Sequence, residues 1–236
     1  TEIYTLSLHD ALPILVIEEI LDLRPDIDQV DIKGKAILFE SGLYAKLPAD
    51  LPETLSLSLL DVAGAPAQTA KLVKPGDTVL VVGGAGKSGM LCLYEAKKRA
   101  GVTGCVICLQ HTDEAKERIL QAGLADAFIT ADATDAVAVL RSVEAVTAGR
   151  LCDITINCVN VPNTEMASIL ATKDGGLVYF FSMATSFTKA ALGAEGVGKD
   201  ITMMVGNGYT RGHAEITLQI MRESPALRRI YEDLYA

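Results

Sequence analysis

Residues 79–89 read VLVVGGAGKSG, an apolar run passing straight into a glycine turn, and few folds accept that succession. Val79, Leu80, Val81 and Val82 suit a strand covered on both faces of a parallel sheet. Gly84, Gly86 and Gly89 then supply G-x-G-x-x-G. In a dinucleotide-binding turn the first glycine permits a tight bend, the second lets a pyrophosphate approach the backbone, and the third lets the next helix lie close to the sheet. From Lys87 onward, Gly89, Leu93, Ala96 and Ala100 recur at helical spacing, a stripe of mostly small residues that can pack tightly on the sheet. The free N–H groups and dipole at such a helix start favour a bound phosphate. Gly84, Ala85, Gly86, Lys87, Ser88 and Gly89 are therefore candidate cofactor-binding residues.

Other glycine loops fit less well. Gly86, Lys87 and Ser88 match the end of the P-loop pattern G-x-x-x-x-G-K-[ST], but Val81 stands where its leading glycine is required, which disfavours a nucleoside triphosphatase. Methyltransferases that bind a nucleoside cofactor use a comparable turn, and a glycine turn without a ligand is the structural alternative.

Half of the 236 residues are hydrophobic and the mean hydropathy is +0.30, enough for a sizeable core. The net charge of −9 and the absence of any basic block argue against a nucleic-acid or anionic-membrane surface. No apolar run reaches the length of a membrane-spanning helix. Cys105 and Cys108 form a C-x-x-C, but residues three apart in a strand point to opposite faces. With only three histidines in the chain no zinc site can be written, so no metal is expected and the five cysteines are read as reduced core residues of a cytoplasmic protein.

Residues 1–14, TEIYTLSLHDALPI, resemble a translated sequencing-library adapter and are set aside from the fold expectation. Glu2 and Asp10 and the lack of a long apolar stretch make them unlike a signal peptide. Residues 15–58 are expected to be the tail of a preceding domain. In it, 15–23 has helical spacing that stops before Pro25, Gly34 marks a turn, 36–39 is a strand, and Pro48 and Pro52 punctuate a link. A helix over 57–73 should then end in the K-P-G-D turn at 74–77.

That helix, the K-P-G-D turn, the buried strand and GGAGKSG together resemble the medium-chain dehydrogenase/reductase superfamily, in which a catalytic domain precedes a nucleotide-binding domain. The likeness covers residues 33–236. It is carried by DVAGAPAQTAKLVKPGDTVLVVGGAGKSG (61–89), NCVNVPNTEMASILATKDGG (157–176) and GNGYTRGHAEITLQIMRESPALRRIYEDLYA (206–236). The resemblance implies an NAD(P)-dependent oxidoreductase, with NAD the preferred cofactor and NADP possible, acting as a homodimer paired through its sixth strand. In the branch most similar to this chain, the resemblance implies oxidative deamination of a small β-amino acid in lysine fermentation. A zinc-independent quinone or enoyl reductase of the same superfamily, and a non-catalytic nucleotide-binding module, are the alternatives. Much of the superfamily's substrate pocket comes from the preceding domain, so this chain is expected to bind cofactor without turning substrate over.

The remaining pattern alternates strands at 105–109, 127–129, 153–158, 176–181 and 201–205 with helices at 113–122, 133–146 and 164–172. Such alternation implies an α/β fold with a doubly wound parallel sheet, a Rossmann fold, over residues 59–210, followed by C-terminal helices over 211–236. Ligands of such sheets bind outside the carboxyl ends of the strands. Gln110 and His111 after the second strand, Asn157 and Cys158 after the fourth, and Ser182 and Met183 after the fifth are thus further cofactor-binding candidates. After the second strand there is no acidic residue for a ribose hydroxyl until Asp113, and no arginine for a 2′-phosphate. Tyr209 and His213 flank a glycine turn and are the catalytic candidates. Leu227, Ile230, Tyr231 and Leu234, on a helix started by Pro225, are expected to pack on the preceding domain or on a partner.

Overall fold

A computed structural model describes residues 4–6, 14–27, 29–39, 44–206 and 208–235. The chain divides into two units, Thr1–Glu53 and Thr54–Ala236. The adapter-like segment lies outside the described residues except for 4–6 and Ile14.

In the first unit a short strand β1 (Tyr4–Leu6) pairs antiparallel with β4 (Tyr44–Lys46), and β2 (Ile14–Arg24) pairs antiparallel with β3 (Gln29–Ile37). The helix expected over 15–23 is a strand. Ile14, Val16, Ile17 and Ile20 are β-branched, and β3 offers Ile37, Lys35, Gly34 and Ile32 opposite them, so cross-strand pairing overrides the local spacing. The register shifts between Ile17 and Glu19 and again between Ile20 and Asp22. Those interruptions break the two-residue alternation and leave apolar residues at steps of three that imitate a helix. Gly34, expected in a turn, lies inside β3, where a Cβ would sit 2.4 Å from the Val16 carbonyl oxygen.

The second unit begins with α1 (Glu53–Leu60) and α2 (Gly64–Leu72). The single helix expected over 57–73 is thus two. Pro66, in the first turn of α2, has no N–H for the preceding turn, and Gly64 lies so close to Gly208 that a Cβ would stand 2.1 Å from its carbonyl oxygen. Then come β5 (Thr78–Val82), α3 (Lys87–Ala100), β6 (Cys105–Gln110), α4 (Lys116–Gln121), β7 (Ala127–Thr130), α5 (Ala136–Thr147), β8 (Cys152–Asn157), α6 (Glu165–Ala171) and β9 (Thr172–Phe180). α7 (Phe187–Gly196), β10 (Thr202–Val205), α8 (His213–Glu223) and α9 (Pro225–Tyr235) complete it.

The six strands from β5 onward form one parallel sheet in the order β10-β9-β8-β5-β6-β7. Val79 to Val82 of β5 are fully buried, as a central strand demands. Leu80 and Val82 join Ile107, Leu109, Val139 and Val143 in a core shared with α5 and α6, while α3 packs on the opposite side with α2 and α8. Chain order reverses at β5, so the connections leaving β5 and β8 run to opposite faces of the sheet, and their start is the topological switch point where such sheets take their ligands.

The helix α7 was not foreseen, because Gly193 and Gly196 weaken its pattern. Gly193 is the residue that lets α7 approach α6, since a Cβ there would meet Met166 and Ile169 at 3.1 and 3.4 Å. Leu227 and Tyr231 are fully buried within this unit rather than offered to another domain, whereas Leu234 is exposed.

Candidate functional site

The glycine turn occupies the carboxyl end of β5. Its left-handed bend falls on Gly83 (φ +76°), one residue before the expected position, and a Cβ there would lie 2.6 Å from Val159 Cγ2. Gly84 is constrained by contact instead: a Cβ would meet Cys108 Sγ at 2.7 Å. The amides of Gly83 and Gly84 both donate to the Leu109 carbonyl, at 2.9 and 3.2 Å, tying the turn to the end of β6. Gly89 places a helix against the turn, and a Cβ on it would stand 2.1 Å from the Gly83 carbonyl oxygen. Gly86 is less crowded: the nearest atom to its notional Cβ is the Gly83 carbonyl oxygen at 3.3 Å, a tight contact rather than an overlap.

α3 begins at Lys87 with no side chain capping it, which leaves its first-turn N–H groups to a ligand or to solvent. The Lys87 ammonium pairs with the Asp61 carboxylate at 2.8 Å, and the Lys87 carbonyl accepts the Tyr231 hydroxyl proton. Ala85 and Ser88, both little exposed, complete the loop.

Three other loops share this edge of the sheet. After β6, Gln110 is half-buried and its carbonyl accepts the Ala131 amide, while His111 is exposed. The Asp113 carboxylate accepts from the Thr130 hydroxyl at 2.6 Å and sits near Lys116; these contacts hold its pKa below the ordinary value. After β8, Asn157 is fully buried, and its amide is spent inside the protein: Nδ2 donates to Thr164 Oγ1 (2.8 Å) and Ser168 Oγ (3.0 Å), and Oδ1 accepts from the Val159 amide (3.1 Å). Its carbonyl also accepts the amides of Phe181 and Ser182 at 3.0 and 3.2 Å. Asn157 is therefore a brace between the β8 and β9 loops. Cys158, half-buried, follows it, and its thiol lies 3.8 Å from that of Cys92 on α3.

After β9, the Ser182 hydroxyl accepts the Ala184 amide at 3.1 Å, and Met183 stands 89% exposed. Glu165, at the start of α6 and buried, accepts the Ser186 amide at 2.7 Å and so ties the far end of this loop to the β8 side. No motif marks Glu165, Thr164 or Ser168; only a buried polar pattern in a helix start could have suggested them.

Beyond β10 the Gly206 amide donates to the Phe180 carbonyl at 2.9 Å, anchoring the next turn to the end of β9. Tyr209 and His213 come together there, ring centroids 5.1 Å apart in an edge-on arrangement. Burial holds the His213 imidazole below the ordinary histidine value, outweighing Glu215 nearby, and favours the neutral ring.

This geometry defines a Rossmann domain of the doubly wound type, its glycine turn on the first strand of the sheet at the switch point. The fold is shared with a mycobacterial protein solved in complex with NADPH (TM-score 0.60, 21% identity, 80% of this chain and 58% of that one). An alcohol dehydrogenase from Thermotoga maritima is also similar (TM-score 0.61, 18% identity, 80% and 52%). In sequence the chain is similar to L-erythro-3,5-diaminohexanoate dehydrogenase from Acetoanaerobium sticklandii, 65% identical over 221 residues, and to the enzyme of that name from Fusobacterium nucleatum, 58% identical over 221. These alignments take in 94% of this chain and 64% of each relative, so the chain spans a little under two thirds of their length. Residues 1–48 match the profile of the L-erythro-3,5-diaminohexanoate dehydrogenase N-terminal domain.

Proposed function

We propose that this chain is the nucleotide-binding part, with the end of the preceding domain over residues 15–58, of an NAD(P)-dependent dehydrogenase. The reaction is oxidative deamination of L-erythro-3,5-diaminohexanoate to 5-amino-3-oxohexanoate, a step of lysine fermentation in the cytoplasm. The observation that carries the reading is the glycine turn between the carboxyl end of β5 and the uncapped start of α3, in a chain 65% identical to a dehydrogenase of that name. A pyrophosphate fits where a Cβ is missing and amides are free.

The bound dinucleotide supplies a hydride acceptor. The protein's part is placement: the braced β8 and β9 loops, with Cys158, Ser182 and Met183, border the nicotinamide end, and Gln110 and His111 border the adenosine end. Asp113, committed to Thr130 and Lys116, gives no strong choice between NAD and NADP. Hydride leaves C3 only from a neutral amine, because the developing cation would lie beside a fixed positive charge. An amine near the lysine value, about 10.4, therefore needs a base. Tyr209 and His213, brought together at the turn beyond β10, are the groups of this chain proposed to meet that amine. β10, the end strand of the sheet among the described residues, provides an edge for homodimer pairing.

The test is the unfolding midpoint with NAD, NADP and S-adenosylmethionine in turn, together with oxidation of 3,5-diaminohexanoate by a full-length relative carrying this sequence. A ligand at a hundred times its Kd stabilises by about 2.7 kcal/mol. A rise with NAD or NADP alone supports the reading. A rise with S-adenosylmethionine alone overturns it, and NADPH consumption with an enone, without amine oxidation, transfers the assignment to a quinone or enoyl reductase.

A further inference from the structure

Cys92 on α3 and Cys158 just beyond β8 face each other with their sulfurs 3.8 Å apart. A disulfide bond is about 2.05 Å long, so closure needs an approach of about 1.8 Å, within the range of side-chain rotation and a small loop shift. Cys158 is half-buried and Cys92 wholly buried, so a small oxidant reaches Cys158 first and Cys92 waits behind it. Burial holds the Cys92 thiol protonated and pushes Cys108 and Cys152 up to about 12, which keeps those sulfurs out of first contact with an oxidant.

The pair is also placed to matter. The Cys158 amide donates to the Val82 carbonyl at 2.9 Å, at the last residue before the glycine turn. Val159, the next residue, fills the space beside Gly83 so closely that a Cβ there would lie 2.6 Å from its side chain. Drawing Cys158 toward α3 therefore moves the group packed against the turn.

We propose that Cys92 and Cys158 form a peroxide-oxidisable dithiol whose closure to a disulfide displaces the Cys158–Val159 corner and weakens dinucleotide binding; the second half rests on the function proposed above. The chemistry balances. The Cys158 sulfur attacks the O–O bond of hydrogen peroxide, releasing water and leaving a sulfenic acid. The Cys92 sulfur then attacks that sulfur, its proton passes to the leaving hydroxide as the S–O bond breaks, and a second water leaves. Two thiols are oxidised and one peroxide is reduced to two waters.

The experiment treats the reduced 236-residue chain with hydrogen peroxide, counts thiols after unfolding, maps peptides without reduction, and repeats the melts with NAD and NADP. The expected result is a fall from five free thiols by two, a Cys92–Cys158 cross-linked peptide, and loss of the dinucleotide-induced shift. Dithiothreitol restores the shift, and Cys92→Ala retains it after peroxide. Five surviving thiols, a different pairing, a cross-linked chain that keeps its shift, or loss of the shift in Cys92→Ala each overturns the proposal. A reduced chain that shows no dinucleotide shift counts against the function reading instead, and the thiol count and peptide map then decide the cross-link alone.

Discussion

Gly86 and Gly89 belong to one motif and answer to different demands. At Gly89 a methyl group would meet the Gly83 carbonyl oxygen at 2.1 Å and Gly84 Cα at 2.7 Å, both backbone atoms held by the sheet. Gly89→Ala should therefore destabilise the chain by about 1–3 kcal/mol, the range for overpacking a tight site, seen as a lowered melting temperature without ligand. At Gly86 the nearest atom is the Gly83 carbonyl oxygen at 3.3 Å, a contact that a small shift can relieve, so Gly86→Ala should cost less stability than Gly89→Ala yet lose the dinucleotide shift. Equal loss of stability in both variants would show that the loop is only structural. His213 carries a prediction in pH. Its folded pKa lies below the ordinary 6.5, so between the two values the unfolded chain binds more protons and stability rises with pH. The contribution is fully present above 6.5 and declines as pH falls through 6.5 toward the folded value. Melts across that range should show a weaker acid-side loss for His213→Asn than for the parent; parallel curves would place His213 in water. The sequence made the glycines readable because a loop motif is local. It hid Asn157, whose position after a strand resembles a ligand contact and whose burial against Thr164 and Ser168 makes it a brace. That distinction depends on residues seven and eleven places away.

Among the elements, those whose pattern has one meaning were legible: β5, flanked by its turn, and α3, whose small stripe permits close packing. The ribbon β2–β3 was misread because its register shifts place apolar residues at helical steps, and the partner strand that decides the matter lies elsewhere in the chain. α9 was recognised as a helix but given the wrong partner. Tyr231 reaches across to the Lys87 carbonyl at the start of α3, so the last helix buttresses the glycine loop. Tyr231→Phe keeps the ring and removes the hydroxyl. It should lower stability by about 0.5–1.5 kcal/mol, the worth of a typical hydrogen bond, and reduce dinucleotide affinity because α3 loses a support at its first residue. Reduced stability with unchanged dinucleotide affinity would confine α9 to a packing role.

At the scale of the whole molecule the two units present different surfaces. Residues from Thr54 onward contain the six-stranded sheet, its covering helices and every candidate site residue, with Val79 to Val82 of β5 fully buried. The ribbon in the first unit instead exposes Ile14, Leu15, Ile17, Ile20, Leu21 and Leu23, each more than half accessible, an apolar area of the kind that draws other surfaces to it. A chain of residues 50–236, which spares the start of α1, should therefore unfold cooperatively and keep the full dinucleotide shift. By sedimentation velocity it should also associate less than the 236-residue chain at equal concentration. The two kinds of association can be told apart. Pairing through β10 belongs to the second unit and would leave both chains dimeric, whereas contacts through the ribbon would add larger species to the longer chain alone. Loss of the dinucleotide shift in the shorter chain would mean that residues before 50 help to form the site, and would remove the second unit's claim to bind cofactor by itself.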